Sequence, residues 1–171
     1  MKYFSFDVET DGLYGQAFAI AAAVVDENGQ ILDRFCEKCI APGITDAWTK
    51  ENCLPYLSEI PDCESRAALR QHFWAFYSRY REECVIVADV TYPVEAGLLR
   101  ACVEDNLEER KFQGPYPLID VASVLFAHGI NPDVNRMDFS DWHGKRHHPL
   151  DDAVASVLCL IKAMKRDQRG S

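Results

Sequence analysis

Two acidic residues near the start of the chain have the type and spacing of metal ligands. The first residues read MKYFSFDVETDGL, in which Asp7 and Glu9 follow an aromatic run and precede Gly12. Aromatic and β-branched residues favour a strand, and alternation along a strand places Asp7 and Glu9 on one face. Adjacent carboxylates repel each other and are costly to bury, so the pattern indicates a divalent cation held by oxygen ligands. A solvated edge strand is the alternative, but ligands gather at the carboxyl ends of strands in open α/β sheets.

A second group of reactive side chains precedes the last helix, in the segment GKRHHPLDDA. Pro149 suits the first turn of a helix, and Asp151 and Asp152 fall in that turn, where the helix dipole favours acids. His147 and His148 come directly before it. Taken alone, the segment is better explained by acids that cap a helix and by ordinary loop histidines than by a reactive site.

The rest of the chain supplies the elements that must position these residues. The order β-β-β-α-β-α-β-α predicts an α/β fold, with an antiparallel three-strand meander, parallel strands added to it, and helices flanking the mixed sheet. Asn28-Gly29 is a hairpin turn signal between the second and third strands. We expect one domain over residues 1–171 with a frayed tail at 166–171. Periodicity predicts strands at 2–8, 16–25, 31–35, 85–88 and 117–121, helices at 46–53, 65–82, 93–103, 122–127 and 151–165, and a polar loop at 131–146.

Composition narrows the class of protein. The 171 residues carry 18 basic and 27 acidic side chains, a net charge of −9, which argues against a broad basic surface for nucleic acid. The sequence has no run long enough to span a membrane and no signal segment, so we expect a cytoplasmic protein without membrane contact. The seven cysteines are odd in number and irregularly spaced, which predicts free thiols.

The two acidic groups together resemble a known family, the DEDD-type (DnaQ-like) 3′–5′ exonucleases, in the branch with a catalytic histidine. The first family motif, Asp-x-Glu followed by Thr and a Gly turn, stands here as Asp7-Val-Glu9-Thr-Asp-Gly. The last motif is a His, four residues, then Asp-Ala on a helix. That spacing selects His147 with Asp152, because His148 has no acid at this distance. The resemblance covers nearly the whole chain and implies a ribonuclease H-like fold.

The middle acid of the family is where this sequence departs from the pattern. The family shows an Asp near the start of the helix after the fourth strand, and here the region reads ADVTYPVEAGLL. Asp89 ends the strand, while Glu95 lies in the first turn of the helix and is followed by apolar residues, as the family's Asp is. We favour Glu95, with Asp89 close behind it and a simple helix cap as the alternative for Glu95.

The resemblance implies phosphodiester hydrolysis with two divalent cations, Mg²⁺ or Mn²⁺. One ion activates the attacking water and the other stabilises the leaving 3′-oxygen. His147 accepts the proton of the water as general base, a role suited to its ordinary pKa near 6.5. The implied ligands are Asp7 on both ions, Glu9 and Asp152 on the first, and Glu95 or Asp89 on the second.

The resemblance implies that the partner is the single-stranded 3′ end of a nucleic acid. Whether it is RNA or DNA is not readable, and no sequence feature establishes the homodimer that chains of this family often form. Two other functions stay open: a non-catalytic nucleic-acid-binding module on the same fold, and a small-molecule phosphodiesterase acting on dinucleotides. The expected substrate contacts are Gly12 and Leu13 at the terminal nucleotide, with Leu13 as a wedge, Tyr14 or Phe18 stacked on a base, and Lys145 and Arg146 on phosphates.

Overall fold

The first three strands form the predicted antiparallel meander. The computed structural model describes residues 1–167, and residues 168–171 are outside that description. Strand β1 is Lys2–Thr10, β2 is Ala17–Asp26 and β3 is Ile31–Lys38. The turn between β2 and β3 contains Gly29 at φ +90°, a conformation that glycine adopts without steric cost.

Two parallel strands extend the meander on the other side of β1. Strand β4 is Val85–Ala88 and β5 is Ile119–Asp120, and the strand order is β3-β2-β1-β4-β5. Strand β1 pairs antiparallel with β2 and parallel with β4, which makes it the central strand. The predicted mixed sheet is confirmed, and its central strand carries the first acidic motif.

Helices cover both faces of the sheet, and each face takes alternate residues of β1. Phe4 and Phe6 pack with the α2 residue Phe73 in one core cluster, whereas Tyr3 packs with the α7 residue Val157 in another. Because side chains alternate, Asp7 and Glu9 lie on the α7 face. The helices are α1 (Ala47–Asn52), α2 (Arg66–Tyr80), α3 (Val94–Glu104), α4 (Leu107–Arg110), α5 (Val121–Ala127), α6 (Arg136–Ser140) and α7 (Pro149–Asp167), with a 3₁₀ turn at Leu54–Tyr56.

The structure differs from the sequence prediction at several connections. Helix α6 lies inside residues 131–146, which were predicted as loop; Asn135 caps it by accepting a hydrogen bond from the Asp138 backbone N–H at 3.1 Å. Helix α4 and the 3₁₀ turn were also not predicted. Helix α7 begins at Pro149 and continues to Asp167, so the first two residues of the expected tail are helical, and 168–171 lie outside the described residues. Within residues 1–167, no helix combines the length and apolarity needed to cross a membrane.

Candidate active site

Three carboxylates converge where β1 meets the start of α7. One carboxylate oxygen from each of Asp7, Glu9 and Asp152 lies within 4.8 Å of the others. Helix α7 is fixed against β1 by Ser5, whose fully buried hydroxyl donates a 2.7 Å hydrogen bond to the Ala153 carbonyl. This bond joins the residue after Asp152 to the face of β1 that carries Asp7. The structure therefore brings together acids that are 145 positions apart in the chain.

The electrostatics of the cluster are those of buried acids that repel one another. Burial raises the pKa of Asp7 well above its usual value, and the charges of Glu9 and Asp152 raise it further. Burial likewise raises the pKa of Glu9 and brings that of Asp152 to about 7, with the charge of Glu9 contributing to the latter. Hard, mutually repelling oxygen donors fit Mg²⁺ or Mn²⁺, because a divalent cation would remove the repulsion. Asp7, Glu9 and Asp152 are the residues that would hold it.

The two candidates for the middle acid have different surroundings. Asp89 accepts two hydrogen bonds from Arg136, Nε to Oδ2 at 2.7 Å and Nη2 to Oδ1 at 3.0 Å. Glu95 is only 5% exposed, and burial raises its pKa to about 8, with the charges of Asp89 and Glu9 adding to the effect. Both acids act electrostatically on Asp7. Asp89 thus already has a cationic partner, whereas the charges that act on Glu95 are those of other acids.

A tight loop carries His147 to the edge of this cluster, and Asp151 holds that loop. Asp151 accepts hydrogen bonds from the Trp142 indole N–H and from the Lys145 backbone N–H, both at 3.0 Å. His148 lies on the same side, with Nδ1 at 3.5 Å from the Asp151 carboxylate. The neighbouring acids of α7 therefore differ in position: Asp151 supports the loop, and Asp152 joins the carboxylate cluster.

His147 lines the same cleft as Asp7 and Asp152, and its ring lies near two aromatic side chains. Its centroid lies 6.2 Å from the Trp48 ring and 5.9 Å from the Tyr56 ring. Burial raises the pKa of Glu9, and the charge of His147 offsets part of that rise. His147 has φ +58°, which is uncommon for a residue with a side chain and is typical of functional turns. The structure thus places the predicted general base beside the predicted metal ligands.

Trp48 and Tyr56 were missed by the sequence analysis. They reach the site because Asp11 anchors the segment before α1, accepting hydrogen bonds from the backbone N–H groups of Thr45 and Asp46 at 2.8 Å each. The signal in the sequence was a Trp among polar residues in a short helix. In the structure Trp48 is 59% exposed. Such a side chain is a candidate for binding.

The residues expected to contact the substrate differ in their exposure and in their position relative to the cleft. Leu13 and Tyr14 are 59% and 77% exposed on the loop after β1, and Gly12 has φ +74° there. Phe18 is a correction: its side chain has no exposure and packs in the core with Leu57, so it has no free face for a base. Lys145 is turned away to Glu59 at 2.9 Å, while Arg146 lines the cleft beside Asp7 and Asp152.

Two cavities meet at the carboxylates. One, of about 440 Å³, is lined by Asp7, Asp89, Arg146, His147 and Asp152. The other, of about 340 Å³, is lined by Glu9, Leu13, Trp48, Cys53 and Val94, and we call it the Glu9 pocket. The acids therefore separate a charged cleft from a more apolar pocket, an arrangement suited to a phosphate and an adjoining ring system.

Solved structures share this architecture. The chain superposes on the nuclease domain of 3′hExo, described as a DEDDh family member bound to rAMP, with TM-score 0.55 and 12% identity, over 97% of this chain and 92% of that one. It also matches the E. coli ExoI–ssDNA complex in its zinc-bound form, with TM-score 0.61 and 14% identity, over 99% of this chain but only 41% of that one. The chain has the ribonuclease H-like fold of these nucleases. No protein-family model and no curated protein matches the sequence.

The raised pKa values predict the pH dependence of stability without metal. Acids whose folded pKa is about 7 for Asp152 and about 8 for Glu95, against about 4 when unfolded, bind more protons in the folded state between those values. The free energy of unfolding should therefore fall as the pH rises from 5 to 8 in EDTA. Thermal melts should show this fall, and Mn²⁺ should reverse it at pH 8.

The matched variants are Asp152→Asn, which should flatten the pH dependence, and Glu108→Gln, which removes an exposed charge on α4 and should leave it in place. A melting temperature that rises with pH in EDTA would contradict the electrostatic account. So would an equal slope in both variants.

Gly144 is predicted to be essential for the His147 loop. A Cβ at this position would lie 2.5 Å from both the Asp151 Cγ and the Trp142 Nε1, closer than atoms can approach. Gly144→Ala should therefore displace the loop and lower kcat about tenfold to a hundredfold, since small misplacements of catalytic groups are costly. Gly114→Ala is the control, because its Cβ would meet Val103 at an ordinary 3.7 Å. The test measures the activity proposed below on both variants, and equal rates would contradict the prediction.

Proposed function

We propose that the protein is a divalent-metal-dependent 3′–5′ exonuclease that removes nucleotides from single-stranded ends of RNA or DNA. The observation that carries the proposal is the convergence of Asp7, Glu9 and Asp152 within 4.8 Å, with His147 acting electrostatically on Glu9. The shared fold with nucleases solved with rAMP and with ssDNA supports it.

The chain's own residues have separable tasks in this reaction. Asp7, Glu9 and Asp152 would hold a cation pair together with Glu95, and bound cations supply activation of water and stabilisation of the leaving oxygen. His147 accepts the proton of the attacking water at its imidazole. Arg146, beside the same cleft, is placed to bind a phosphate.

Two observations favour catalysis on a polymer over the other functions. Glu95 acts electrostatically on Asp7, so a fourth carboxylate is present where a non-catalytic module would not need one. The Glu9 pocket shares Thr10, Leu13 and Val94 with a larger groove, so a bound nucleotide has a path along which the rest of a strand can extend. A dinucleotide phosphodiesterase would need a closed pocket rather than an open groove.

The direct test uses single-stranded RNA and DNA oligonucleotides labelled at either end, with Mn²⁺ or with EDTA. We expect mononucleotide release from the 3′ end, dependent on the metal, and a ladder of shortened products that keep the 5′ label. Asp7→Asn, which removes one of the repelling charges, should fold and be inactive. Release from the 5′ end, or internal cleavage, would contradict the proposal.

The general base can be tested by replacing each of two adjacent histidines. His147→Ala should lower kcat about a hundredfold or more, the usual contribution of a general base. His148→Ala should lose much less, because its ring lies at Asp151 and not at the carboxylate cluster. Single-turnover rates at saturating Mn²⁺ measure both. An inactive His148 variant beside an active His147 variant would show that the motif has been aligned one residue out of register.

The middle acid can be tested by a second pair of variants. Glu95→Gln should lose activity strongly and shift the Mn²⁺ dependence to higher concentrations, because Glu95 has the unpaired carboxylate. Asp89→Asn should retain more activity but lose stability, since it leaves the partly buried Arg136 without its ionic partner. Activity as a function of Mn²⁺ concentration and thermal melts separate the two effects. Wild-type rates in both variants would exclude the two-ion assignment.

A further inference from the structure

A groove larger than the carboxylate cleft lies beside it. It has a volume of about 610 Å³ and runs between the loop after β1 and helix α3. Leu13 and Tyr14 form one wall, and Tyr92, Val94 and Arg100 form the other. We call it the α3 groove. The proposed function needs this groove only as a path for the strand and names no side chain in it that holds the strand.

Both walls of the α3 groove carry an aromatic side chain that the fold does not need for its core. Tyr14 is 77% exposed and Tyr92 is 72% exposed. Exposed aromatic rings beside an open channel are the platforms on which proteins stack unpaired bases, and stacking tolerates any base because each has a π face. The two tyrosines therefore indicate a ligand with flat, unpaired rings.

The loop that presents Tyr92 is held firmly in place. Asp89, at one end, is bound by Arg136, and the Thr91 backbone N–H donates to Asp120 at 2.9 Å. Val90, between them, has φ +48°, a conformation that is strained for a β-branched residue and persists only where surrounding contacts impose it. A preorganised loop of this kind loses little entropy when Tyr92 binds a base.

The charges of the α3 groove are paired among themselves. Arg70 donates to Asp105 at 2.7 and 2.8 Å, and Arg100 donates to Glu104 at 2.7 Å. These cations are therefore poor phosphate ligands, and the chain as a whole has a net charge of −9. Base stacking, rather than neutralisation of phosphates, is the interaction that this groove can offer.

We propose that the α3 groove binds the retained part of a single strand whose terminal nucleotide occupies the Glu9 pocket, with Tyr92 and Tyr14 as the stacking platforms. The inference rests on the proposed function. From Val94 to Glu104, α3 is about 15 Å long at 1.5 Å per residue. At about 3.4 Å or more per nucleotide, that length takes about two to four nucleotides. A duplex does not fit this role, because its bases have no free faces.

The test compares two substrates of different reach. Thymidine 5′-p-nitrophenyl phosphate has a single nucleoside and cannot extend along the groove, whereas a single-stranded octanucleotide can. For Tyr92→Ala, the ratio of kcat/KM on the octanucleotide to that on the chromogenic substrate should fall about tenfold, within the range of one lost base stack. Tyr92→Phe should restore the ratio, because the ring and not the hydroxyl does the stacking. Tyr116→Ala, a fully exposed tyrosine outside the groove, is the control.

Binding measured by calorimetry in EDTA gives a readout that does not depend on cleavage. The octanucleotide should bind Tyr92→Ala more weakly than wild type, and the dependence of affinity on salt should be shallow, since few phosphates are neutralised. If the wild type cleaves neither substrate, the proposed exonuclease activity is wrong while the binding result still decides on the groove. An unchanged affinity and an unchanged substrate ratio in Tyr92→Ala, or a steep salt dependence, would overturn the α3 groove proposal.

Discussion

Repulsion among partly buried carboxylates at the end of β1 is the constraint on which the rest of the structure depends. The pKa values of Asp7, Glu9, Glu95 and Asp152 are all raised, with burial as the first cause. Each unit of such a shift corresponds to about 1.4 kcal/mol of preference for the protonated form. The apolar packing of the central sheet and α7 must offset this cost in the absence of a cation. Ser5 contributes locally, because its buried bond to α7 prevents the helix from moving away from the charges.

The parts of this site that were predictable from sequence are those that depend on local periodicity or on motif spacing. Alternation along a strand places Asp7 and Glu9 on one face, and the structure agrees because β1 is regular through both residues. Periodicity cannot bring Asp152 to them, since nothing local links residues so far apart. That pairing came from the spacing between His147 and the helix acid in a family motif. The same motif spacing selects Asp152 rather than Asp151, although both acids lie in the first turn of the helix and either could cap it.

The parts that were not predictable depend on tertiary contacts. Phe18 lies in β2, which is buried on both faces, so its apolar run has no alternation to separate core positions from exposed ones. Trp48 reaches the site because Asp11 binds the backbone ahead of α1 and the Thr49 hydroxyl donates to the Thr10 carbonyl, both contacts across more than thirty positions of the chain. Helix α6 forms in a polar segment because Arg136 is drawn to Asp89 and Met137 is buried. Intrinsic propensity is a weak guide where such contacts decide the conformation.

The acids around the cluster fall into two groups: some hold loops in place through hydrogen bonds or ion pairs, and the others face the site. This difference explains how an acidic chain could bind a polyanionic ligand. Asp11 and Asp120 accept backbone hydrogen bonds that lower their pKa values, so these two acids hold loops in place as charged groups. Asp89 forms an ion pair with Arg136. Asp7, Glu9, Glu95 and Asp152, the acids whose pKa values are raised, lie where cations would bind. Cations held there would reverse the local sign of the potential exactly where a phosphate must lie, although the chain carries a net charge of −9. The remaining affinity for a strand then has to come from ring faces, and the exposed tyrosines beside the cleft provide them.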